Sequence, residues 1–444
     1  MQVSLQINAR WVITVDADDN VLENHAVIIQ DDIIIDVLPQ QDAKKYSPVE
    51  LIECNDHALA PGFINAHTHA AMSLLKGLAD DLPLDEWLND HIWPAETALA
   101  DSDFVKDGTE LAIAEMIRGG TTCFNDMYFF IDQTATAVSN TGIRACLGIP
   151  VIDFPTRWAK DLNEYISKGL AVHDHFRSNE LIHFTFAPHA PYTVCDDSLK
   201  TIQPIMDKLG LAMHIHLHET EDEVEQSIAK HGVSPIARLN NLGLLNPDLM
   251  AIHMTHLSAT DIQLIAEHRV NVIHCPESNL KLASGFCPVN ELITSNINIA
   301  IGTDGSASNN DIDMLGETKT AALLTKGRTK QADALPAKTA LRMATINGAK
   351  ALRLDKKIGS LEIGKQADMF AINLNSIETQ PIYDVISTLI YSANRSQITD
   401  VWVAGQRLMQ DQQLTTLDEA QLIEKVKHWQ RKINPFHHQP NKAV

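Results

Sequence analysis

The chain is predicted to be an α/β protein, a (β/α)8 TIM-type barrel with a small β-sandwich domain formed by both chain ends. Three observations carry that reading. Between Pro61 and Ser306, eight short apolar runs alternate with stretches of mostly helical texture. Strands alternating with helices pair in parallel, and eight such units close into a barrel. Strand-like sequence before Pro61 and again after Ile358 brackets that repeat. Finally, residues of metal-binding type stand at the ends of the apolar runs, where a barrel would gather them at one mouth.

Taken in order, VSLQINARWVITVD, HAVIIQDDIIIDVLP and ELIECNDHALAP cluster β-branched residues between polar turns and read as short strands. The eight runs are PGFINAHTH, GTTCFNDM, IRACLGIPVI, LIHFTFAPHA, LAMHIHLHE, LMAIHMTHL, VNVIHCPES and NIAIGTDGS. SDFVKDGTELAIAEMIRG and TEDEVEQSIAKHG are the clearest helices between them. The second is expected to open with a capping box, Thr220 as N-cap and Glu223 three residues on. A polar loop, GSASNND, follows Asp304, with helical sequence through Leu354. Strand texture returns in IGSLEIGKQADMFAINLN and ITDVWVAGQRLMQDQQL. The expected division is 1–59 plus 358–417 for the small β domain, 60–357 for the barrel, and 418–444 for a C-terminal helix and loose tail.

Composition bounds the function. With 444 residues and 45% hydrophobic content, the chain can bury one large core and a smaller one. A formal net charge of −22 argues against nucleic acid or an anionic membrane surface as partner, since both need basic patches. The six cysteines are scattered with no Cys-x-x-Cys, and most lie in apolar runs. Buried free thiols in a reducing cytoplasm are therefore expected. No stretch has the length of a membrane span, and the N-terminus lacks a basic start followed by a long apolar run.

Asn65, His67 and His69 alternate along the first run and would share one face. Two imidazoles so spaced can grip one ion, although His-x-His alone is a weak signal. Downstream, His189, His216 with Glu219, His253 and Asp304 stand at the ends of four further runs. Neutral imidazoles plus a carboxylate suit a borderline metal such as zinc, with one position left for water. Independent core histidines would have no reason to gather at the same end of each unit. Spacing alone leaves open which of His214, His216 and His218 in HIHLHE binds. Glu219 reads as a proton carrier over the metal, and His175, His183, His256 and His274 as structural or surface residues. Trp87 and Glu96, in LDEWLNDHIWPAE after the first strand, suit stacking on a base and holding sugar hydroxyls.

Through PGFINAHTHAAMSLLKG, FAPHAPYTV, HIHLHET, HCPESNLKLASG and IGTDGSASNND, the sequence resembles the amidohydrolase superfamily. It looks closest to the 5′-methylthioadenosine/S-adenosylhomocysteine deaminases, over nearly the whole chain. The resemblance implies that His67, His69, His216 and Asp304 ligate one divalent metal per subunit, usually zinc. It implies that His253 contacts the attacking water and that Glu219 shuttles protons. Glu96 would hold ribose hydroxyls, Trp87 would line the nucleoside pocket, and His189 would face the substrate. The implied partner is a small purine nucleoside; barrels of this family often pair, so a homo-oligomer is compatible. The sequence departs from the family where an arginine pair can hold the homocysteine carboxylate. The first of these positions falls at Ile149, and the second is met by Arg157. Methylthioadenosine is therefore expected to be preferred over S-adenosylhomocysteine.

Other chemistries share these motifs. Guanine, cytosine, 8-oxoguanine and chlorotriazine hydrolases of the same branch use the same metal set, and Glu96 favours a ribose-bearing substrate over them. Binuclear relatives need a lysine carboxylate toward the mouth, and no strand-end run offers one. Metal-free scaffold relatives have lost the ligands, whereas all four are present here.

Overall fold

The structure is a computed structural model in which residues 1–437 are described. The expected tail residues 438–444 lie outside the described part. In the small domain, strands β1 (Gln2–Ile13), β2 (Val21–Gln30), β3 (Ile33–Pro39) and β4 (Ser47–Pro61) precede the barrel. The barrel strands are β5 (Phe63–Thr68), β6 (Thr121–Met127), β7 (Arg144–Val151), β8 (Ile182–Pro188), β9 (Ala212–Leu217), β10 (Leu249–His253), β11 (Asn271–His274) and β12 (Ile299–Ile301). Then come β13 (Met369–Asn373), β14 (Ile398–Val403), β15 (Gln406–Gln410) and β16 (Gln413–Leu414).

All eight predicted apolar runs are strands, paired in parallel in sequence order from β5 to β12. Every residue of β5, β6, β7, β9 and β10 is buried, as expected of parallel strands covered on both faces. Just past β12, side chains join the barrel's two ends. Asn65 donates to Thr303 Oγ1 at 2.8 Å and accepts from the Thr303 N–H at 3.0 Å. The Asp304 N–H donates to the His67 carbonyl at 3.0 Å. That closeness requires Gly302, because a Cβ there would stand 2.8 Å from the Cβ and backbone nitrogen of His67.

The helix Ser102–Arg118 is capped by Asp101, which accepts from the Phe104 N–H. The helix Glu221–His231 opens at Thr220, whose hydroxyl accepts from the Glu223 N–H, and stops at left-handed Gly232. The expected capping box is only half made: the Glu223 carboxylate turns back to the N–H groups of His218 and Glu219. GSASNND is not all loop either, since Ser306–Asn309 forms a short helix.

The second sheet runs β16-β15-β14-β13-β4-β1-β2-β3, so both chain ends build it. β1 and β4 are parallel; the other neighbours are antiparallel. The sheet folds over on itself as a sandwich: a Cβ on Gly405, in the β14–β15 turn, would stand 2.3 Å from the Asp31 carbonyl in the β2–β3 turn. Ile34, Met369 and Trp402 accordingly share one core. The predicted strand texture from Ile358 begins later than expected. Residues 358–368 are turns that lay Leu361 and Ala367 into this core, and the Leu361 N–H donates to Thr14. Arg144 on β7 and Asp368 join the two domains through a two-pronged ion pair of 2.9 and 3.0 Å, both side chains fully buried.

The C-terminal helix Glu419–Ile433 packs on Ser102–Arg118, with Trp429 Nε1 donating to Asp107 at 2.9 Å and its ring edge-on to Phe104. The six cysteines are free thiols and all but Cys195 are buried. Among the described residues, no helix is long and apolar enough to cross a membrane.

Candidate active site and metal centre

The strand ends converge as the sequence implied. His67 lies in β5 and His69 just beyond it; His189 follows β8, His216 lies in β9, His253 ends β10 and Asp304 follows β12. One ligand atom from each of His67, His69, His216 and Asp304 falls within 4.8 Å of the other three. His214 and His218 are not part of this group. His214 lies deeper on β9, its Nε2 2.8 Å from His67 Nδ1. β9 stops at Leu217, and His218 takes a left-handed φ of 52°, which turns its ring away to the His256 carbonyl.

The proton positions follow from the partners. His69 Nδ1 lies 2.6 Å from the Met127 carbonyl, and His216 Nδ1 lies 2.6 Å from the His189 carbonyl. Carbonyls only accept, so both rings carry their proton on Nδ1 in the neutral form and turn a bare Nε2 inward. His67 Nε2 is 3.3 Å from His216 Nε2 and 3.2 Å from Asp304 Oδ1. His69 Nε2 is also 3.2 Å from Asp304 Oδ1. Tetrahedral zinc with ordinary bond lengths spaces its ligand atoms by roughly 3.4 Å, so the donor set fits such an ion.

Asp304 is held firmly in place. Its Oδ2 accepts from Ser278 at 2.6 Å and Ser308 at 2.7 Å, and Oδ1 accepts from the Gly305 N–H at 2.8 Å. Its backbone is left-handed, with φ 61°. Burial opposes ionisation of Asp304, yet hydrogen bonds from His67 and His69 hold it well below the usual carboxylate range. The carboxylate draws positive charge in turn. Burial disfavours charged His69, but Asp304 more than offsets it and pushes that imidazole up to about 9. His67, deeper, is held down at about 4 by burial.

Around this floor opens a cavity of about 500 Å³ lined by His69, His189, His216, Glu219, His253 and Asp304, and also by Trp87, Glu96 and Arg157. His253 Nδ1 lies 2.8 Å from Asn279 Oδ1, which leaves its Nε2 facing Glu219 Oε1 at 3.7 Å. Burial raises the Glu219 carboxyl, opposed by His253. His189 packs its ring 5.0 Å from His216, bonds Thr193 Oγ1 at 2.9 Å, and is held down at about 3 by burial. Trp87 and Glu96 lie on one helical segment built from Leu84–Glu86, a π-helical stretch Trp87–Ile92, and Trp93–Leu99. Such π-turns gather at functional sites. Glu96 Oε1 accepts from the Tyr128 hydroxyl at 2.6 Å, and burial raises its carboxyl.

Among the described residues, Arg157 is the only Lys or Arg on the cavity wall. It is half exposed, donates to the Ala98 carbonyl at 2.7 Å, and stands 3.6 Å from Asp101. Ile149 corrects the sequence argument. A Cβ on Gly169, in the helix Leu162–Phe176, would stand 2.2 Å from Ile149 Cγ2, so this side chain faces the helix rather than the mouth. Its identity therefore says nothing about a carboxylate contact. Pro150, Ile152 and Phe154 line that part of the cavity instead.

Sequence reading assigned no role to Ser278, Ser308, Asn279, Tyr128 or Thr255, and left His214 only as an alternative to His216. Ser278, Asn279 and Ser308 lay inside the quoted motifs, so the signal was present without an assignment. His256, His274 and His183 stand outside the metal cluster, as expected.

A donor set of imidazoles and a carboxylate at a barrel mouth, with a buried carboxyl beside it, is that of the metal-dependent hydrolases. Known proteins narrow that class. The chain belongs to the amidohydrolase family, which residues 58–408 match. It is 48% identical to a 5-methylthioadenosine/S-adenosylhomocysteine deaminase from Saccharophagus degradans, over 97% of this chain and 96% of that protein. It is 46% identical to a deaminase of the same description from Teredinibacter turnerae, over 97% and 98% of the two chains. An adenosine deaminase from Xanthomonas campestris, crystallised with bound zinc, superposes with a TM-score of 0.96 at 48% identity, covering 98% of this chain and 99% of that one.

Proposed function

We propose that the protein is a zinc-dependent deaminase that converts 5′-methylthioadenosine to the inosine derivative and ammonia, using S-adenosylhomocysteine or adenosine more weakly. The observation that carries this is the floor of the cavity: three imidazole nitrogens and Asp304 Oδ1 aimed at one point, with Glu219 and His253 beside it. His67, His69, His216 and Asp304 hold the ion. When bound, zinc supplies the Lewis acid that makes water a nucleophile at neutral pH.

The protein's own groups handle the protons. Asp304, assisted by His253 Nε2, takes the proton from the attacking water. The oxygen adds to ring carbon C6 while Glu219 delivers a proton to ring N1, so negative charge does not build up on the ring. The proton held by Asp304 passes to the amine, the C6–N bond breaks and ammonia leaves, while the C6 hydroxyl gives its proton to Glu219 and becomes the carbonyl. This matches the logic of zinc deaminases, where a glutamate that is not a ligand acts as acid and base.

Glu96 accepts from ribose hydroxyls through the oxygen that Tyr128 leaves free, and Trp87 forms a wall for the nucleoside. Ile152, Phe154, Pro155 and Trp158 make an apolar rim suited to a thiomethyl group, with Arg157 beside them. S-adenosylhomocysteine would have to place an ammonium and a carboxylate against that rim. Free, buried thiols fit a cytoplasmic location.

The test follows the ultraviolet spectrum and ammonia release with zinc-loaded protein given methylthioadenosine, S-adenosylhomocysteine, adenosine and guanine in parallel. Fast turnover of methylthioadenosine and slow turnover of S-adenosylhomocysteine is expected. Equal efficiency on these two refutes the preference, and activity on guanine alone refutes the ribose assignment of Glu96.

A further inference from the structure

The half-made capping box points to a second task for Glu223. We propose that Glu223, with Thr255, clamps the His218–Glu219 backbone and so aims the Glu219 carboxyl; Glu223 is a positioning residue for the reaction. This rests on the reading of Glu219 as the proton carrier.

β9 ends at Leu217 and His218 turns left-handed, so the next peptide groups leave the strand ladder inside the protein. Each of the four finds a partner. Glu223 Oε1 accepts from the His218 N–H at 3.0 Å, and Oε2 accepts from the Glu219 N–H at 2.7 Å. On the carbonyl side, the Thr255 N–H donates to His218 O at 2.9 Å, and Thr255 Oγ1 donates to Glu219 O at 2.7 Å. Glu223 is itself fixed, since its N–H donates to Thr220 Oγ1 at 3.2 Å. Glu219, Glu223 and Thr255 are each 5–6% exposed.

Burying a carboxyl here is unfavourable, and among the described residues no Lys or Arg forms an ion pair with it. Helix capping alone does not explain the choice, because Thr220 caps the helix without the Glu223 side chain. Two diverging N–H groups do explain it, because a carboxylate offers two accepting oxygens and a carboxamide only one. A glutamine would set an NH2 against one of those N–H groups and release one end of the clamp. Proton transfer depends on position to within an ångström, so a loosened Glu219 slows the chemical step while binding and metal retention persist.

The experiment is a double-mutant cycle on the zinc-loaded full chain with methylthioadenosine. Glu223→Gln is expected to lower kcat by about 10- to 100-fold, with native zinc content and near-native KM. In a Glu219→Gln background the same substitution should change kcat little, because the group being aimed is gone. Thr255→Val should lower kcat in the same background-dependent way, and Thr255→Ser should restore it. If Glu223→Gln does not fold, the Thr255→Val cycle decides alone. Native kcat in Glu223→Gln, or an equal loss in both backgrounds, overturns the clamp. Native kcat in Glu219→Gln overturns the underlying role of Glu219 instead, so the two failures are distinguishable.

Discussion

Removing His214 should loosen the metal without touching a ligand. For His67 to present a bare Nε2, its proton must sit on Nδ1, which points at His214 Nε2 2.8 Å away. Both side chains are fully buried. In His214→Phe that N–H loses its acceptor, and water cannot replace it. Leaving a buried donor unpaired costs about 1–3 kcal/mol. The alternative tautomer escapes the penalty by placing the proton on Nε2, where Asp304 Oδ1 at 3.2 Å accepts it. That tautomer cannot bind metal. The penalty therefore falls on the metal-bound state, and the expected loss is about 5- to 150-fold in zinc affinity at ~1.4 kcal/mol per decade. Competition against a calibrated chelator measures this directly, and kcat at saturating zinc should largely recover. His214→Gln, whose carboxamide oxygen can take the same proton, should lose less. Native zinc affinity in His214→Phe would refute the tautomer argument.

Three further outcomes are expected. Tyr128→Phe removes the hydroxyl held by Glu96 and should lower kcat/KM about 10-fold for ribose nucleosides; an equal loss on 2′-deoxy substrates would separate Tyr128 from ribose recognition. Asp368→Asn strands the fully buried Arg144 and should cost about 3–5 kcal/mol in urea unfolding; a loss near zero would show that the pair does not join the domains, and Asp368→Leu with Arg144→Leu should recover part of the loss. His183 is held down at about 4 from an ordinary 6.5, by burial first and then by Arg144 and Lys357. A depressed histidine gives stability that is present above 6.5 and lost as pH falls toward 4, on the order of 3 kcal/mol. His183→Leu should escape that loss, so unfolding curves that stay parallel to the native protein's over this window would rule the effect out.

Much of the fold was legible because a parallel barrel strand, buried on both faces, is a continuous apolar run that ends where the polar chemistry begins. That rule located His67, His69, His216, His253 and Asp304 from one dimension. It failed where the backbone leaves the strand. Period-two alternation puts His218 beside His216, but the left-handed residue after Leu217 breaks the period and sends the ring elsewhere. Alignment placed Ile149 near a substrate carboxylate, but its side chain packs toward the helix Leu162–Phe176. Glu223 had the spacing of a capping box, and only the three-dimensional position of the His218 and Glu219 N–H groups shows why its carboxylate turns back.

Floor and rim of the cavity are built on different principles, and this bears on how one chemistry can meet several substrates. The ligands lie on or just beyond strands locked by the barrel ladder, and Asp304 is fixed by Ser278, Ser308 and Gly305. Trp87 and Glu96 instead ride on a helical segment with a π-turn in its middle. That segment gains its place by packing: Trp87, Ile92 and Ala95 share one apolar cluster with Phe104, Tyr128, Trp429 and Ile433. The last two belong to the C-terminal helix, which ion pairs of Lys425 with Asp107 and Glu110 hold on Ser102–Arg118. A change in that distant helix therefore reaches the cavity wall through Trp87 and leaves His67, His69, His216 and Asp304 where the strands put them. The shape of the rim is open to adjustment from behind, whereas the floor is not.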